Sequence, residues 1–511
     1  MKRRSVLLLI ASLLVIAMTA PNLGATVSNQ AIADAITELD VQRARTLLDK
    51  ADPDSPSLAF ERARLAVYLG DCDSAQAIAS APTLRATPEG SSLLELAKRC
   101  AGATAGSVVV DDVKAGLWIR LQDEADRALV PFIVDVSVRA RERIGRDLGV
   151  DLPRPLRIDL VRDLFSLSQV SGLPLEAAET TGTVAVARWG RITMVSPRAT
   201  ALGYPWEDTL AHEITHLMLS RATRDRAPLW LQEGVAKREE SRWREPRPFD
   251  AALDHSEVAR AALLSGRSVG VDKIGPSIAM LPTPEAASIA FSEVTSFMNY
   301  WIEQNGNAAL ALLLRDLKGL ASEDPSAAMR SVTGYDLPAW IARWQVFLRE
   351  REPNPESGEG SVQASRDLAR RIRLGDLAYE RGHAALAALH HDLAAKEMPQ
   401  EPSLRYRAAR ARLALGDEAA AQAALGEPKD VRSLHGGWFA LHGRGLRTED
   451  PVAAQRAFGL GVSVDPLAED VACQGQARRP VPPGTAPRSA PVPPDERWRA
   501  LCESVRNPLA N

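Results

Sequence analysis

Two histidines four residues apart bracket a glutamate in Ala211-His212-Glu213-Ile214-Thr215-His216. On a helix that spacing turns both imidazoles to one face, where they can share one Zn2+ ion. Glu213 then sits beside the metal. A carboxylate there can take the proton of an attacking water and pass it to a leaving amine. Catalytic zinc takes three protein ligands and keeps one position open, so the pair needs a third partner. Seventeen residues after His216, in Pro228-Leu229-Trp230-Leu231-Gln232-Glu233-Gly234-Val235-Ala236, Glu233 is the acid in a largely apolar helical stretch and is the candidate. Two neutral histidines and one carboxylate leave the ion net positive, which suits polarising a carbonyl. As ordinary helix residues these polar groups would stand without partners among Leu210, Ile214, Leu217, Leu229, Trp230 and Leu231.

The elements that must position them can be read outward from the motif. The segment from Pro205 reads as a helix with Glu207 and Asp208 at its positive end. Polar Arg221 to Ala227 is a loop that folds a second helix back on the first, with Gly234 and Ala236 allowing close approach. Upstream, Leu117 to Leu121 and Leu156 to Leu160 alternate like half-buried strands, with a helix from Asp126 to Leu148 between them and Gly149 as its stop. Thr183 to Ala187 and Arg191 to Val195 read as a hairpin turning at Trp189-Gly190. Strands first and helices after give an α+β domain over residues 105–350, followed by a polar linker at 351–362.

The flanks have a different grammar. Residues 26–104 and 363–476 are Ala-rich, with apolar residues three and four apart, as in helices from Ala31 to Leu48 and from Leu58 to Ala79. The stretch from Pro56 aligns without gaps on the stretch from Pro402, sharing Pro-Ser-Leu, Ala-Arg, Leu-Gly-Asp and Ala-Gln-Ala. A fixed Leu-Gly-Asp turn at one offset is what a repeated helix-turn-helix unit needs. These flanks resemble tetratricopeptide repeats, which implies paired helices leaning on their neighbours and a possible surface for a protein partner. Residues 477–511 form a Pro-rich tail.

The 511 residues carry 62 Lys and Arg against 65 Asp and Glu, a net charge of −3 that gives no electrostatic case for nucleic acid. At 45% hydrophobic residues the chain can fill real cores. Lys2, Arg3 and Arg4 precede an apolar run from Val6 to Met18 and small residues up to Ala25, the pattern of a secretory signal over residues 1–25. The expected destination is secreted or periplasmic, by bacterial export, with no stable membrane insertion after signal cleavage. Four cysteines in an exported chain suggest disulfides, and local pairing of Cys72 with Cys100 and of Cys473 with Cys502 is the simplest arrangement.

Together the two ligand segments, Thr183-Val184-Ala185 with Arg191 to Pro197 upstream, and Ser296 to Gly306 downstream resemble the gluzincin metallopeptidases, in particular the bacterial peptidase MA-like domain. The resemblance covers roughly 105 to 350 and implies a zincin-like fold. It places two zinc ligands at His212 and His216, the general base at Glu213 and the third ligand at Glu233. It also places a peptide-binding strand on Arg191, Ile192, Thr193, Met194 and Val195. One departure is Phe291, which stands where related enzymes carry a Tyr or His that stabilises the oxyanion, and a phenyl ring donates no hydrogen bond. His255, Tyr300 and Tyr204 are the possible substitutes. Two functions follow: an exported zinc metallopeptidase acting on peptide or protein substrates, or a weakly active or inactive scaffold that binds peptides or proteins through its cleft and repeats.

Overall fold

The computed structural model describes residues 28–51, 56–200, 203–247, 250, 254–275, 277–319, 325–352, 366–431, 433–473 and 496–506. The expected signal peptide, nearly all of the expected linker and the proline-rich stretch before Glu496 lie outside the described residues. No described helix is long and apolar enough to cross a membrane.

Five strands form one mixed sheet: β1 (Val108–Asp112), β2 (Leu117–Leu121), β3 (Leu156–Val161), β4 (Ala185–Arg188) and β5 (Arg191–Val195), in the order β1-β2-β3-β5-β4. β2, β3 and β5 run parallel, and the two outer strands pair antiparallel. β1 escaped the sequence reading. The hairpin turns at Trp189 and Gly190, both at positive φ (58° and 68°), as a two-residue turn matched to strand twist requires.

Alternation along the strands gives the sheet two unlike faces. Ile119, Ile158, Ile192 and Met194 point to one face and are fully buried under the helices Val130–Leu148 and Trp206–Thr223. Val161 and Val195 point to the other and pack with Cys72, Cys100 and the Leu164–Ser171 helix. The N-terminal helices therefore seal one face, while the motif helix seals the other.

Both expected disulfides are present, Cys72 to Cys100 and Cys473 to Cys502. The second ties the helix Glu496–Arg506, within what reads as tail, back onto the body, where Leu501 is fully buried. The two long N-terminal helices of the sequence reading each divide in two. Leu39 turns at φ 59° and Gly70 at φ 76°, and Asp40 and Asp71 then cap new helices by accepting from Arg43 N–H and Ser74 N–H. The aligned stretches share this architecture: Pro56–Tyr68 and Pro402–Ala414 are each followed by an Asp-capped eight-residue helix, Cys72–Ala79 and Glu418–Leu425. The C-terminal block reaches the start of the motif helix directly, since Trp206 Nε1–H donates to Val462 O at 3.4 Å and Tyr204 N–H, just before the helix, to Val464 O at 3.0 Å.

Candidate metal centre and cleft

The Trp206–Thr223 helix buries Leu210, Ala211, Ile214, Leu217 and Met218 against the sheet and its neighbours. That leaves His212, Glu213 and His216 on the side facing a cleft of about 560 Å³ below β4. Arg224 ends the helix in the left-handed region (φ 55°), and the chain turns through Pro228 into the helix Leu229–Glu239, which carries Glu233. Gly234 fixes how deeply this second helix sits. A Cβ there would lie 2.5 Å from Met298 Cγ and 2.6 Å from Val294 O. The close approach is thus to the Pro284–Asn305 helix, and not to the motif helix as the sequence suggested.

The three expected ligands converge. His212 Nε2 and His216 Nε2 are 3.1 Å apart, and Glu233 Oε2 lies 3.6 Å from the first and 3.7 Å from the second. Donors about 2.0–2.1 Å from a tetrahedral ion stand about 3.3 Å from one another, so this set fits a zinc-sized cation. Among the described residues it is the one group of three such donors within 4.8 Å. Glu213 is buried at 6% exposure and is pushed up by burial, against the pull of His216 and His212 and a smaller one from the Ala187 N–H of β4. Glu233 is held low: burial opposes its charge, but His216 and His212 outweigh it.

One member of the site was missed in the sequence. Glu240 Oε2 lies 3.3 Å from His212 Nδ1, and its Oε1 lies 2.6 Å from Lys237 Nζ. A carboxylate on Nδ1 fixes the proton there and leaves Nε2 as the free donor. Burial opposes charge on His212, yet Glu233 and Glu240 raise its pKa to about 10, so metal-free His212 is protonated at neutral pH and a bound cation would take the place of its Nε2 proton. The signal was spacing: Glu240 follows Glu233 by seven residues, two helical turns, but it sits in a charged Lys-Arg-Glu-Glu run that reads as a solvated face.

Phe291 does line the cleft. Of its three possible substitutes, His255 lines the same cleft, with Nδ1 3.3 Å from Ser292 Oγ, and burial lowers its pKa to about 4. Tyr204 is engaged elsewhere, donating to Val195 O. Tyr300 stacks on Phe347 at 5.0 Å and borders a separate surface pocket with Arg343.

The strand assignment for peptide binding needs correction. Arg191, Ile192, Thr193, Met194 and Val195 form an interior strand, paired on both sides by β3 and β4 and buried at every position. Such a strand has no free edge to offer. The edge is β4. Val195 N–H donates to Val184 O, so by antiparallel alternation Val186 and Arg188 face β5, while the backbone groups of Ala185 and Ala187 turn outward. Residues 183–187 line the cleft.

Residues 138–350 match the family model of the Peptidase MA superfamily. The chain carries a peptidase MA-like domain. β1 and β2 precede the matched region yet complete its sheet. No curated protein matches the chain, and no solved structure does.

Proposed function

We propose that the protein is an exported, zinc-dependent peptidase of the gluzincin type. The observation that carries this reading is the triangle of His212, His216 and Glu233 donors at 3.1–3.7 Å, with Glu213 buried beside it against the edge strand. A zinc ion held by these three residues would supply Lewis acidity, polarising a peptide carbonyl and making water more acidic. The protein's own residues do the rest. An extended peptide adds to β4 through the outward backbone groups of Ala185 and the carbonyl of Ala187. Glu213 takes the proton of the attacking water on its carboxylate and returns it to the leaving amine, and its buried setting raises its proton affinity for that exchange. His255, neutral at pH 7, is the donor we assign to the developing oxyanion in place of one at Phe291: in the tautomer whose Nδ1 accepts from Ser292 Oγ, 3.3 Å away, the proton sits on Nε2.

Export is supported by the basic and apolar N-terminus and by two disulfides, which persist in oxidising compartments. The repeated unit at Pro56 and Pro402 supports the tetratricopeptide-like reading of both flanks. Phe291 in the cleft favours a second reading, a peptide-binding scaffold with little turnover. Glu213→Gln separates the two. In an enzyme it lowers hydrolysis of a peptide library by roughly 10²–10⁴-fold while zinc content and unfolding midpoint stay as in wild type. Equal, chelator-insensitive background from both proteins would favour the scaffold.

A further inference from the structure

We propose that the N-terminal helices and the tip of the β4–β5 hairpin form a second groove, which takes an acidic and apolar stretch of the same polypeptide held in the cleft; the inference rests on the peptidase reading above. The groove, of about 510 Å³, lies between the helices Pro56–Tyr68 and Pro88–Thr104 and the hairpin, with Phe60, Leu93, Leu96 and Trp189 as its apolar lining. It adjoins the cleft. Leu173 and Ala187 line the cleft, and their chain neighbours Gly172 and Arg188 line the groove. A Cβ on Gly172 would stand 3.2 Å from Leu96 Cδ1 and 3.7 Å from Arg188 Nη1, so a side chain there would fill the junction.

Charge defines the occupant. Arg64, Arg99 and Arg188 face one acid, Glu89, across the groove. Arg64 is paired with Glu61 at 3.3 Å, whereas among the described residues Arg99 and Arg188 have no carboxylate within ion-pair range. The Arg188 guanidinium lies over the Trp189 ring at 4.9 Å, a stacking that leaves its in-plane N–H groups to grip a carboxylate. An aromatic or aliphatic side chain next to that carboxylate packs between Phe60 and Trp189. An extended chain paired along β4 past Ala187 runs on toward Arg188 and Trp189, so the groove receives residues a short way along the same peptide from the scissile bond.

The test uses the zinc-loaded, full-length Glu213→Gln protein, which holds peptide without turning it over. The probe is a fluorescein-labelled peptide of about 14 residues ending in Asp-Phe-Glu-Leu, beside a twin with Lys for both acids. The acidic probe binds more tightly than its twin, and adding Arg99→Glu and Arg188→Glu weakens it about tenfold or more and reverses the preference. In the Glu213 background, Arg99→Glu raises KM for a quenched acidic 14-mer by a similar factor. Acidic-probe affinity unchanged within twofold by both reversals would overturn the groove. Cleavage of the acidic 14-mer indifferent to Arg99→Glu would detach it from the cleft and overturn it equally. If the wild type cleaves nothing while the probe still reads both arginines, the groove stands and the peptidase reading falls.

Discussion

The sheet carries a buried charged cluster on each face, and the two are built on opposite rules. On the N-terminal face Asp159 sits between two arginines, 2.8 Å from Arg120 Nε and 3.1 Å from Arg191 Nε. Arg120 also donates to Gly70 O, and Arg191 to Val67 O and Val170 O, with its Nη2 3.4 Å from Cys100 Sγ. Burial lowers Arg191 only to about 10, with Asp159 opposing the shift, so it stays charged at neutral pH. Cations here end on a carboxylate, on the carbonyl of Val170 and on the carbonyls of Val67 and Gly70 from the N-terminal helical segment, which makes the cluster a joint between two parts of the chain. On the other face His212, His216 and Glu233 turn donor atoms toward one another at the edge of a cleft. A sealed set of charges holds the fold, whereas an open set of converging lone pairs asks for a cation.

The largest effect should come from breaking the sealed set. Asp159→Ala leaves two buried guanidiniums without a counter-charge, a loss on the order of 3–5 kcal/mol in urea unfolding. Because the joint lies on the far face, the fraction that stays folded should bind zinc as wild type does. Metal loss in parallel with stability would mean that the two faces are coupled, and the contrast between joint and centre would fail.

This contrast also explains what the sequence could and could not reveal. His212, Glu213 and His216 lie within one helical turn or so, and local spacing is enough to aim them together. Glu233 was legible because it is the acid in the largely apolar stretch from Leu229 to Ala236. Arg120, Asp159 and Arg191 meet only after β2, β3 and β5 pair, and no short-range pattern encodes that order. The same gap produced the error over the peptide-binding strand. Arg191 to Val195 alternates no differently as an edge strand or an interior one, and only its two neighbours decide. The divided helices at Leu39 and Gly70 were missed for the opposite reason: the Asp40 and Asp71 caps are visible locally, but apolar periodicity runs straight through them.

A smaller effect sharpens the open side of the comparison. Glu240→Gln keeps the size of the side chain facing His212 Nδ1 but removes its charge. Carboxylates behind a ligating histidine raise its basicity and fix its tautomer, and losing one typically costs about 10–100-fold in metal affinity. Competition with a fluorescent zinc chelator should report a weakening of that order. An affinity equal to wild type would reduce Glu240 to a partner of Lys237.

The smallest effect tests a carboxylate that belongs to neither cluster. Asp126 is fully buried like Asp159, but it has no two cations to itself. Oδ1 accepts from Ser196 at 2.9 Å, Oδ2 makes no hydrogen bond, and Arg198, 3.3 Å away, is shared with Asp123. Burial raises its pKa to about 6, against Arg198 and the Ser196 hydrogen bond. In the unfolded chain the group titrates near its ordinary value of about 3.9. Between roughly pH 4 and pH 6 the folded state therefore binds more protons than the unfolded one, and stability falls as pH rises through that window. Asp126→Asn removes the titration while its amide oxygen can still accept from Ser196. The difference in unfolding free energy between variant and wild type should thus move in the variant's favour by about 1–2 kcal/mol from pH 4 to pH 7. A pH-independent difference would mean that Arg198 keeps Asp126 ionised throughout, and that one shared cation at the surface does for it what two buried ones do for Asp159.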